Sequence, residues 1–151
     1  MSSPPKRPAC HVAFTAALLF ASSAFAQVTP VGLWHSIDDK THQPKAEIRI
    51  SENGGVLDGH IEKLLRKGAD PDEKCTECRD ERKGQPMVGL EIIRGARKVP
   101  GKDVWEDGKI LDPENGREYT LRLTPVEGGK KLEVRGSIGP FGRTQTWLRV
   151  Q

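Results

Sequence analysis

The sequence predicts an all-β chain, a small antiparallel up-and-down barrel of about eight strands. Two observations lead there. Beyond residue 26, apolar and polar residues alternate in short runs and helical periodicity is nearly absent. Clusters of Gly, Pro, Asn and Asp separate these runs, which is turn chemistry. Strands joined in sequence by short turns can close on themselves and so leave no unpaired edge. A two-sheet sandwich is the alternative that the same strand pattern permits.

Residues 1–26 read as a secretory signal peptide. Lys6 and Arg7 give a positive start, an apolar run extends from Val12 to Ala21, and Ala24-Phe25-Ala26 is a small-x-small cleavage motif. The run is too short for a bilayer span, which needs about 20 apolar residues. Cys10 precedes the run rather than sitting at the cleavage site, which argues against a lipoprotein. The expected location is therefore periplasmic or secreted, after cleavage near Ala26. Residues 27–151 have room for one domain with a modest core.

The strands follow in order. Gly32 to Ile37 is the first. Ala46, Ile48 and Ile50 alternate with Glu47, Arg49 and Ser51 in a half-buried second strand. Asn53-Gly54-Gly55 is a tight turn, and Leu57, Gly59 and Ile61 alternate beyond it to complete a hairpin. Arg66 to Gln85 is charged, has no apolar face and reads as a loop. Met87 to Ile93 resumes a strand, more continuously apolar and so more buried. Val104 to Leu111 is the next, broken or bulged around Asp107-Gly108. After the turn Asp112 to Gly116 come the alternating Tyr119, Leu121 and Leu123, then the turn Glu127-Gly128-Gly129. Leu132, Val134 and Ile138 mark the seventh strand; Gly139-Pro140-Phe141-Gly142 is the last turn, and Arg143 to Val150 the last strand.

Charge and cysteine content narrow the function. Lys6 and Arg7 leave with the signal, so the mature chain holds 22 basic against 21 acidic side chains. Such a near-neutral balance argues for neither a nucleic-acid nor an anionic-membrane partner. Cys10 also leaves, so Cys75 and Cys78 remain, and in an oxidising compartment a disulfide is the default reading. A zinc half-site would need two more ligands, and His35, His42 and His60 show no ligand spacing. A redox-active pair would need a depressed thiol pKa, which neighbouring Glu73, Glu77, Asp80 and Glu81 oppose and Lys74 and Arg79 partly restore.

Gly32-Leu33-Trp34 at the first strand and Thr146-Trp147-Leu148-Arg149 at the last resemble the signature of the calycin superfamily, the lipocalins and fatty-acid-binding proteins. That resemblance implies a structural role for Gly32, Trp34 and Arg149, with the Trp plugging one barrel end and the Arg lying across its indole. The motif order is GLWHSID, Cys75-x-x-Cys78, GLEII, the run Trp105 to Thr120, and the run Leu132 to Arg149. In that order the chain resembles the domain of unknown function 2147 family of secreted bacterial proteins, from about Gly32 to Arg149. The resemblance implies a small lipocalin-like barrel able to enclose a ligand and transfers no catalytic or binding residue.

Other candidates have plainer explanations. Asp38 and Asp39, near His35, suggest acid–base chemistry but read as turn residues. Asp112 to Gly116 lacks the alternating acidic ligands of a calcium loop. Arg135 lies opposite the apolar face of its strand, while Arg143 shares a face with Gln145, Trp147 and Arg149; surface charge accounts for both arginines unless one points inward to hold a carboxylate. No nucleophile elbow, zinc-binding His pair or phosphate loop is present. These readings converge on an exported, non-enzymatic protein without cofactor or metal, carrying a small apolar or amphipathic molecule. An envelope module that binds protein or peptidoglycan through its loops is the alternative.

Overall fold

The computed structural model describes residues 1–5 and 28–150. The basic pair, apolar run and small-x-small motif from which a signal peptide is expected (residues 6–26) lie outside the described residues. Among those described, no helix is long and apolar enough to cross a membrane.

Eight antiparallel strands close into a barrel in simple sequential order, which excludes the sandwich. They are β1 (Gly32–Ile37), β2 (Pro44–Asn53), β3 (Val56–Leu64), β4 (Glu91–Lys98), β5 (Trp105–Asp112), β6 (Arg117–Val126), β7 (Lys131–Ile138) and β8 (Phe141–Arg149). The ring is closed where Trp34 pairs with Arg149 and His35 with Leu148. The bottom end carries the β2–β3, β4–β5 and β6–β7 turns together with the entry to β1 and the exit from β8. The top end carries the β1–β2, β3–β4, β5–β6 and β7–β8 connections.

Turn chemistry sets the register. Asn53 pairs with Val56, leaving Gly54-Gly55 as a two-residue turn with both φ values positive (57° and 79°). Such a turn matches the strand twist, and glycine adopts it without Cβ strain. The expected break around Asp107-Gly108 is a register shift between Trp105 and Gly108, with Asp107 at φ 63°.

Two expectations need correction. The fourth strand is not Met87 to Ile93 but Glu91–Lys98. It shifts register twice against β3, near Ile92 and at Gly95, so its alternation is broken and its boundaries are hidden. The last turn is only Gly139-Pro140, because Phe141 already pairs with Ile138.

The core occupies the lower half of the barrel. Trp34, Ile50, Leu57, Ile93, Leu121, Leu123 and Leu132 are fully buried there, each from the inward-facing set of its strand.

Candidate functional site

The bottom end is sealed by residues from both chain ends. Trp34 is 0% exposed, and its Nε1 donates to the Pro30 carbonyl at 2.7 Å. The Arg149 guanidinium lies over the indole, 4.1 Å from the ring centroid, a cation–π contact. It also donates to the carbonyls of Thr29 and Val31, before β1, and of Gly129 in the β6–β7 turn. Burial lowers the Arg149 pKa from its ordinary value. Gly32 enters β1 at φ 140°.

The top half is open and holds a cavity of about 920 Å³. Its deeper wall is apolar, built by Ala46, Ile48, Ile61, Ile92, Val134 and Trp147. Its mouth is charged with both signs. Lys45 faces Glu114 at 2.7 Å, Arg66 faces Glu73 at 2.6 Å and Arg143 faces Asp39 at 3.0 Å. A cavity of this size, with an apolar deep wall and polar groups at its mouth, has the form of a small-molecule pocket.

Asp38 and Asp39 divide their work. Asp38 Oδ1 accepts from the backbone N–H groups of Lys40 and Thr41, and those bonds lower its pKa. It is the turn residue that the sequence predicts. Asp39 instead accepts from Gln145 Nε2 at 2.9 Å and pairs with Arg143, so it joins the cavity mouth. His35 takes no part. It bonds Glu47 on the outer face, because Trp34 and Ser36 hold the inward positions of β1.

Arg143 follows the inward set of β8 but emerges at the rim, with its side chain 70% exposed. It is surface charge and mouth residue at once. Arg135 is exposed on the outer face, where it bonds Thr144 Oγ1.

The β3–β4 connection is not a loose charged loop. Cys75 and Cys78 form a disulfide and both are buried, together with Met87 and Leu90. Arg82 is buried as well, at 2% exposure. It donates to Asp80, to Glu118 on β6 and to the Glu91 carbonyl. The Arg82 guanidinium holds the Asp80 carboxyl well below the usual carboxylate range. Arg94 on β4 pairs with Glu81 and Glu91, and hydrogen bonding to it lowers the Glu81 pKa. Among the described residues no group of three or more His, Cys, Asp or Glu side chains could hold a metal ion.

Sequence reasoning missed two features of the site. One is the meeting of Asp39 with Arg143 and Gln145: the latter two share a face of the last strand, but Asp39 lies 106 residues from Gln145 and gave no signal. The other is Tyr119, whose hydroxyl accepts from Asn115 Nδ2 at 3.1 Å beside the cavity. Its alternation with Leu121 and Leu123 already placed it on the inward face.

A closed eight-stranded antiparallel barrel, plugged at one end and hollow at the other, is a lipocalin-like barrel. A family model described as an uncharacterized protein conserved in bacteria, DUF2147, matches residues 32–149, and the chain belongs to that family. In fold it is similar to HP1028 from the human pathogen Helicobacter pylori, a protein described as belonging to the lipocalin family. The TM-score is 0.70 at 20% identity, over 82% of this chain and 84% of that one. No curated protein matches.

Proposed function

We propose that the protein is an exported, non-enzymatic carrier that encloses a small apolar or amphipathic molecule in the upper half of its barrel. The single observation that carries this reading is the cavity of about 920 Å³ above a solidly packed floor. An apolar chain would lie against Ile48, Ile61, Ile92 and Val134, and a polar end would face the charged mouth. The signal-like residues 1–26 and the Cys75–Cys78 disulfide support a periplasmic or secreted location.

The test is native mass spectrometry of the mature protein taken from its own compartment, followed by denaturation and identification of what is released. A reproducible small molecule, absent from a cavity-filling Val134→Trp variant, is the expected result. A protein that emerges ligand-free and takes up no apolar fluorophore would overturn the carrier and turn attention to the loop-mediated envelope module.

A further inference from the structure

We propose that Tyr119 selects ligands carrying an acceptor oxygen, such as an ester or ketone carbonyl, over plain hydrocarbons. The inference rests on the carrier reading and adds the ligand's chemical class.

Tyr119 lies on the inward face of β6, and its ring lines the cavity. Gly136 on β7 makes the room. A Cβ at that glycine would stand 3.2 Å from Tyr119 Cβ and 3.5 Å from its Cγ. The phenol is then held by a short relay. Asn115 Nδ2 donates to Tyr119 Oη at 3.1 Å and to Asp112 Oδ2 at 3.0 Å. Asn115 Oδ1 accepts from the Arg117 N–H at 2.8 Å. These contacts fix which end of the Asn115 amide is the donor, because its oxygen and its nitrogen each meet a partner of the opposite kind.

It follows that Tyr119 Oη is an acceptor toward Asn115 and keeps its own hydrogen. Among the described residues that hydrogen meets no acceptor. A half-buried phenol on the cavity wall thus offers a donor that no described side chain takes up, and a ligand oxygen supplies its acceptor.

The experiment displaces N-phenyl-1-naphthylamine from the whole mature protein with dodecane and methyl laurate. Methyl laurate should bind more tightly than dodecane to the wild type. Tyr119→Phe should weaken methyl laurate about tenfold, the scale of one hydrogen bond in an apolar site, and leave dodecane unchanged. Because the variant keeps the ring beside Gly136, unchanged dodecane binding reports an intact cavity. Asn115→Ser, which frees the phenol from its anchor, should give a smaller loss for methyl laurate alone. Equal affinity of Tyr119→Phe and wild type for methyl laurate would overturn the inference and leave the carrier standing. A wild type that binds neither fluorophore nor either of the two would overturn both.

Discussion

Arg149 serves two functions with one guanidinium, covering an indole and gathering carbonyls from the chain entering β1 and from the β6–β7 turn. Its replacement by Met keeps apolar cover on Trp34 but strands those buried carbonyls. Arg149→Met should therefore cost about 3 kcal/mol, from lost charge-assisted hydrogen bonds and the cation–π contact. Urea unfolding with an unchanged slope checks this. Arg149→Lys should recover only part, since an ammonium cannot fork between separated carbonyls while lying flat on a ring.

Asp80 supplies a pH signature at the same scale. Its folded pKa is depressed, chiefly by the hydrogen bond from Arg82. A depressed carboxylate contributes stability above its unfolded pKa of about 4 and loses it as pH falls toward the folded value. The urea midpoint of the wild type should therefore drop between about pH 5 and pH 2 more steeply than that of Asp80→Asn. Parallel curves would show that solvent at this partly exposed pair screens the effect away.

At the scale of elements, the β3–β4 connection is a fastened flap. Gly116 shows how closely it sits on the β5–β6 turn, since a Cβ there would lie 1.8 Å from the Glu77 carbonyl oxygen. With φ also at 70°, Gly116→Ala should lift the flap and destabilise the fold by about 2 kcal/mol or more. Hydrogen exchange should show the loss of protection centred on residues 73–87. The Cys75–Cys78 ring is short, so its removal by paired Ser substitutions should cost only about 2 kcal/mol by loop-closure entropy. Because both sulfurs are buried, reductant should reach them only as the flap opens.

The flap also marks where sequence reading stops. Alternation at Ala46, Ile48 and Ile50, or at Tyr119, Leu121 and Leu123, is a local property and predicts both strand and facing. The register shifts near Ile92 and Gly95 erase that signal in β4. Arg82 looks like one more surface charge among Asp80, Glu81 and Lys83. Its burial depends on Glu118, which the fold alone brings to it. Asp39 and Gln145 meet for the same reason, across 106 residues. The Trp34–Arg149 contact is equally distant, yet the resemblance to calycin strand ends pointed to it.

At the scale of the molecule, a ligand that enters only the closed barrel shifts the folding equilibrium by mass action. At a hundredfold excess over its Kd, a neutral ester held in the cavity should add about 2.7 kcal/mol. For a domain of this length that corresponds to a rise in Tm of about 10 °C. Differential scanning fluorimetry with methyl laurate checks it, and Val134→Trp should abolish the shift, since the indole would occupy the space the ligand needs.

An even number of antiparallel strands returns the chain to the side from which it set out. Residues 28 and 150 thus both leave the barrel at the plugged end, and Arg149 clasps the Thr29 carbonyl across that junction. Whatever is joined to either terminus, a surface, an affinity handle or a neighbouring domain, then acts as a pedestal: the barrel stands on it like a cup on its base, brim upward and free to fill.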